Sequence, residues 1–258
     1  MRLWLGMLIL VAGLPFTAKA QDLDDLTDKK AHEIFQNLKD APAPTKTGQL
    51  GLVDGLSLRP LQALYGKIEA ARKAKALKKL SKFERHAFLV KNAVPVVIAP
   101  DGNYYIIDHH HEDVAARMDG IDDIVIVVKH VYRGTMEEFW KAVLADHLCY
   151  PYDKDGNGPL KWDQLHDAMP KNILGLRDDV YRSLAGLARE LGAYIKGAKD
   201  YFIEFDWADF FSQHIKVGQG KKAFKKALIE AVELAHTPEA SKLPGYVPEK
   251  KCGAVGKI

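Results

Sequence analysis

Two kinds of apolar pattern divide this chain of 258 residues. Val94 to Ala99 and Ile124 to Val128 are short unbroken apolar runs, the mark of strands covered on both faces. Pro100-Asp101-Gly102-Asn103 is a turn signal, so Tyr104 to Ile107 reads as the strand returning beside the first. Further on, helical spacing takes over in residues 135–149, 178–197, 203–215 and 219–235. In the last of these Phe224, Leu228, Ala231, Val232 and Ala235 share a face. Phe139, Trp140, Trp207, Phe210 and Phe211 fall at helical spacing and read as packing residues.

The first half has looser signals. Leu23, Leu26, Ile34, Phe35 and Leu38 give residues 21–40 one apolar face, and Ala41-Pro42-Ala43-Pro44 ends it as a linker. Leu50 to Leu58 is strand-like, Pro60 suits the first turn of a helix, and residues 61–80 read as helical. Asp108 leads into a short helix through Ala115, Ala116 and Met118, with Gly120 as its stop. The expected fold class is α+β: a small mixed-sheet domain over 48–132, then a mostly helical region over 133–236 packed on it. Residues 21–47 precede these, and an irregular tail with Pro238, Pro244 and Pro248 follows over 237–258.

Composition changes one part of this picture. Leu3 to Phe16 is apolar behind Met1-Arg2 and ends in Ala18-Lys19-Ala20, the pattern of a secretory signal peptide cut before Gln21. Its fourteen residues fall short of the roughly 20 a membrane span needs. The expectation is an exported, periplasmic or secreted protein with no stable membrane insertion. Cleavage removes Arg2 and Lys19 and no acid, so the formal charge falls from +3 by two, to +1, on 238 residues. A near-neutral chain lacks the overall field of a dedicated nucleic-acid binder. A local basic stretch remains between Lys67 and Lys91, with nine Lys and Arg against Glu69 and Glu84; it reads as a solvated face or a phosphate contact strip. Export also makes Cys149 and Cys252 a candidate disulfide, against two separate thiols.

The chemistry concentrates in Asp108-His109-His110-His111 at the start of a helix. First-turn N–H groups lack helical acceptors and sit at the positive end of the dipole, which suits an anion. A histidine there can donate to a phosphate or move a proton near neutral pH. Asp108 is placed to cap the helix or orient a histidine. A purely structural cap is the plain alternative. Asp153, Asp155 and Asn157 stand at the first, third and fifth positions of a calcium-loop pattern, but Gln164 occupies the twelfth, where the pattern has glutamate. Such runs are more often plain turns. The metal and any cofactor stay open at this point, a divalent ion among the options.

The stretch VPVVIAPDGNYYIIDHHHEDVAAR resembles the signature of the ParB/sulfiredoxin superfamily. Leu58-Arg59-Pro60-Leu61-Gln62 is similar to an upstream arginine–proline–x–glutamine motif of that group. Asp178-Asp179-Val180-Tyr181-Arg182-Ser183-Leu184-Ala185 and Glu204-Phe205-Asp206-Trp207-Ala208-Asp209-Phe210 resemble the helical half of its ParB-like nuclease family, so the likeness runs from about Val53 to about Ile215. It implies a ParB/sulfiredoxin-like domain and a phosphate-bearing ligand, small molecule or nucleic acid, at the helix start. It also implies hydrolysis of a phosphodiester. His110, His111 and Asp108 would be catalytic, with Arg59, Gln62, His109 and Arg182 contacting the ligand. The chain departs from the family pattern at His109, which replaces a glycine, and at Glu112, which replaces an arginine. A non-catalytic ligand- or partner-binding protein on the same fold is the alternative. Oligomeric state has no sequence signal.

Overall fold

The computed structural model of the chain describes residues 23–197 and 200–248. Its centre is a mixed five-stranded sheet. Strand β4 (Val94–Ile98) lies parallel to β6 (Asp123–Val131), and all five residues of β4 are buried, which is why that segment shows no polar alternation. β1 (Leu50–Asp54) runs antiparallel along β6, with Leu50 opposite Val127. On the other side β5 (Tyr104–Ile106) returns antiparallel to β4, and β2 (Arg59–Pro60) lies parallel outside it. The order is therefore β1-β6-β4-β5-β2.

Alternate residues feed two cores. Val96, Ile98 and Ile106 face one side, under helices α1 (Asp28–Leu38), α3 (Lys82–Lys91) and α4 (His110–Met118). Val97, Tyr105 and Ile107 face the other, against Phe139, Trp140 and Leu165 of α5 (Met136–Ala145) and α6 (Trp162–Ala168). Helix α1 starts at Thr27, whose hydroxyl accepts from the Lys30 N–H, and buries Ile34, Phe35 and Leu38. Each such side chain contributes about 1.5–3 kcal/mol when fully buried. A third core joins α7 (Val180–Glu190), α8 (Ile203–His214) and α9 (Gly220–Leu234) around Trp207 and Phe211. Trp207 Nε1–H donates to the Pro244 carbonyl at 2.9 Å and ties the tail to that core.

The structure corrects several expectations. Arg59-Pro60 is strand β2, not a helix start, because its backbone pairs with Tyr105 and Ile106. Residues 61–80 are not one helix. Leu64–Tyr65 forms β3, paired parallel with β7 (Arg177–Asp178), and α2 begins only at Lys67 and ends at Leu77. The delay has a physical cause. Gly66 offers no side-chain cap, and the first amides of α2 are satisfied from far along the chain. Asp178 Oδ1 accepts from Lys67 N–H at 2.9 Å, and Ser183 Oγ accepts from Ile68 N–H at 3.1 Å. The helix expected over 178–197 is shorter, at Val180–Glu190, and the tail includes a 3-10 turn, Pro238–Ala240. Cys149 is buried, which pushes its thiol up to about 12; Cys252, its proposed partner, lies outside the described residues, as does the expected leader. No helix among the described residues is long and apolar enough to cross a membrane.

Candidate functional site

The histidine turn leaves β5 and enters α4 through an unusual backbone. Asp108 Oδ1 accepts from the His109 N–H at 2.8 Å, and His109 holds φ +63°. That left-handed conformation favours glycine, and a side-chain-bearing residue holds it at roughly 1–2 kcal/mol. The strain rotates the chain so that the His109 carbonyl accepts from the amides of Glu112 and Asp113 and the helix can begin. His110 and His111 then occupy the first turn, where their own N–H groups have no helical acceptor.

Both side chains are deeply buried, His110 at 2% exposure and His111 at 4%. His111 Nε2 accepts the Gly66 N–H at 2.8 Å, so that nitrogen carries no proton and the neutral ring holds it on Nδ1. Burial drives the His111 pKa down to about 4 despite the nearby Glu69 carboxylate. Burial, reinforced by His111 and Arg182, holds His110 well below the usual histidine range. His110 Nε2 and His109 Nδ1 are buried with no hydrogen-bond partner among the described residues.

Around the turn runs a chain of alternating charges. Glu69 Oε2 lies 3.5 Å from His111 Nε2 and 3.0 Å from Arg182 Nη1, while Lys73 Nζ lies 3.5 Å from Glu69 Oε1. Burial alone would raise Glu69, but His111, Arg182 and Lys73 outweigh it and hold the carboxyl down to about 2. Arg182 continues to Glu204 at 3.9 Å, which also meets Arg189 at 2.9 Å and Lys196 at 3.3 Å. Lys196 closes the circuit at Asp108 Oδ2, 3.8 Å away. Glu112 pairs with Lys73. Burial opposes its charge, yet Lys73 and His109 bring its pKa down to about 2.

The expected residues therefore separate into groups. Asp108, His109, His110, His111 and Arg182 share one neighbourhood. Arg59 faces elsewhere: its guanidinium lies 5.8 Å from the Tyr105 ring centre, on a cavity lined also by Trp140 and His166. Gln62 is buried and donates from Nε2 to the Leu64 carbonyl at 2.7 Å, bracing the β2–β3 link. The residues of the calcium-loop pattern form a hydrogen-bonded turn. Asp153 Oδ1 accepts from the amides of Asp155 and Asn157, Asn157 Nδ2 donates to Asp153 Oδ2 at 2.9 Å, and Asp155 pairs with Arg177. Among the described residues no group of three His, Cys, Asp or Glu side chains is placed to hold a metal.

Glu69, Lys73, Lys196 and the partner role of Glu204 were not singled out from the sequence. Glu69 had one faint signal, as one of two acids among nine bases. Asp113 was also missed. It is 1% exposed, and neither carboxylate oxygen has a hydrogen bond among the described residues. Burial and the Asp54 charge push its pKa up to about 8.

A solved structure is similar over most of its length: protein Atu1540 from Agrobacterium tumefaciens, at 35% sequence identity and a TM-score of 0.66, covering 77% of this chain and 96% of that one. No curated protein matches the sequence. The family described as "Putative ParB-like nuclease" matches residues 53–213, from the end of β1 to the end of α8 and across the whole histidine turn. The chain belongs to this ParB-like family.

Proposed function

We propose that the protein is exported and binds a phosphate-bearing ligand at the start of α4, where it hydrolyses a phosphodiester. One observation carries this reading: His110 Nε2 is a buried ring nitrogen without a partner, next to the open first-turn amides of α4. Burial keeps this imidazole neutral in the free protein, and the negative charge of a bound phosphodiester raises its proton affinity, so the ring takes a proton only in the complex. In the step envisaged, water attacks phosphorus, its proton passes to His110, and the leaving oxygen departs and is protonated by solvent. The first-turn amides stabilise the charge that builds on the phosphoryl oxygens. His111 positions rather than reacts, since its Nε2 already accepts from Gly66. Asp108 orients the turn through the His109 amide.

A second reading has its own support. His109 and Glu112 stand where the family pattern has glycine and arginine, and Glu112 is tied to Lys73, so the turn lacks that phosphate-binding charge. That favours a protein which binds a ligand without turning it over. Purified protein lacking residues 1–20, given bis(4-nitrophenyl) phosphate and single-stranded DNA, separates the two. Hydrolysis that falls about 10²–10⁴-fold in His110→Asn, with an unchanged melting curve, supports the hydrolase. Binding without turnover supports the second reading, and turnover unaffected by His110→Asn removes the assigned base. N-terminal sequencing of the protein from the cell exterior or periplasm, beginning at Gln21, checks the export step.

A further inference from the structure

A second concavity lies on the opposite face of the sheet, against α5 and α6. It encloses about 690 Å³, within the range of small-molecule sites. Its walls include Tyr105, Trp140, Met169 and Pro170, and none of residues 108–112 lines it. The polar groups around it divide unevenly. Every acid on the wall already has a partner: Asp153 accepts from the amides of its own turn, Asp155 pairs with Arg177, and Asp167 Oδ1 meets His166 Nδ1 at 2.8 Å. Gln164 Oε1 accepts from the Lys161 N–H at 2.9 Å, which leaves only its NH₂ end.

What remains is a set of donors. Arg59 leans on the Tyr105 ring and has no carboxylate partner among the described residues. Lys154 and Lys171 likewise stand on the wall without an acid. Trp140 is 4% exposed, and its indole Nε1–H, a group that can only donate, is buried with no acceptor among the described residues. Buried donors are paired in the great majority of cases, so an orphaned indole beside a cavity points to an acceptor that comes from outside. Aromatic walls beside a guanidinium without a carboxylate partner and an unsatisfied indole N–H select for shape and for negative charge together.

We infer that this cavity is a second ligand site, for a small flat apolar molecule carrying an anionic head, carboxylate or phosphate. The ring lies among Tyr105, Trp140 and Met169. The head meets Arg59 at one end, with Lys171 or Lys154 as the second cation, and a small shift of the Trp140 ring brings its N–H to the ligand. The site is separate from the histidine turn and does not depend on hydrolysis there.

Calorimetry with benzoate and phenyl phosphate, beside benzyl alcohol as the neutral control, tests it on the full-length fold. The expected result is binding of at least one anion and not of the alcohol, with a shift of the Trp140 indole N–H signal in a ¹⁵N spectrum. Arg59→Gln and the exposed Lys171→Gln should each weaken binding, Arg59→Gln by about tenfold or more, as loss of a charge-assisted hydrogen bond implies. Which anion binds identifies the head group. His110→Asn should leave this binding intact. Equal binding of benzyl alcohol, indifference to both substitutions, loss of binding in His110→Asn, or no binding of either anion would each overturn the assignment.

Discussion

At the scale of single residues, close approach explains choices that composition cannot. Gly186 sits inside α7, where glycine costs about 1 kcal/mol relative to alanine. A Cβ there would run into Glu69 Oε2 and come within 3.0 Å of Arg182 Nη1. The glycine thus makes room for a buried carboxylate against the helix face. Gly186→Ala should therefore destabilise, by about 1–3 kcal/mol as overpacking does, instead of giving the usual gain in helix propensity. Urea unfolding checks the sign. Gly66 is similar: a Cβ would lie 2.8 Å from the backbone N and Cα of Ser183, and Gly66 is also the donor to His111. Neither contact leaves a trace in the local sequence, since each joins residues more than forty positions apart. The histidine turn itself was legible, because three histidines ahead of a short amphipathic helix form a local signal.

At the scale of elements, helices α2 and α7 are joined by the Glu69–Arg182 pair, both side chains at 8% exposure or less. Removing one partner of a buried pair leaves the other charge uncompensated, so Arg182→Ala should cost about 3–5 kcal/mol. Glu69→Gln should cost less than Arg182→Ala if Glu204 continues to hold the arginine. Denaturation of the two variants compares them directly. This scale also shows what patterning reached. The long buried strands and the amphipathic helices were readable because each carries a repeated period. The two-residue strands β2, β3 and β7 have too few residues for any period and exist only through their partners. Pro60 misled for a specific reason: its fixed φ serves equally a helix start and an extended edge strand. Helix α3 did carry a readable cap, Ser81 with Glu84 three residues on, but it sat inside a run of lysines that looked uniform.

At the scale of the whole molecule, the buried groups set a pH optimum. The folded-state pKa of His111 and of His86 is lowered to about 4, and that of His110 is lowered as well. Between about pH 4 and 6.5 the unfolded chain holds protons that these rings do not, so their contribution to stability rises with pH across that window. Asp113 acts in the opposite sense. Its folded pKa is raised to about 8, so its contribution is full below about pH 4 and is lost as pH rises towards 8. The three histidines outweigh the single carboxyl below pH 6.5, and Asp113 dominates above. Stability should therefore peak near pH 6.5 and decline by roughly 2 kcal/mol towards pH 8, at about 1.4 kcal/mol per pH unit for one proton. Asp113→Asn should flatten that alkaline decline and steepen the rise between about pH 4 and 6.5, where the carboxyl opposes the histidines. Thermal melts from pH 4 to 9 read both limbs, and an unchanged alkaline slope in the variant would count against Asp113 as its source.

The circuit of charges from Asp108 to Glu204 also bears on the order in which the molecule is made. The histidine turn is complete in sequence by residue 111, yet the counter-charges that surround it arrive with Arg182, Lys196 and Glu204. A chain emerging from its N-terminus places the sheet first and holds the turn without those partners for most of synthesis. Until α7 and α8 dock, Glu69 lacks its arginine and the rings of His110 and His111 lack their cover. During synthesis the site is thus completed well after its motif, and a truncated chain ending before residue 180 would carry the motif without its environment.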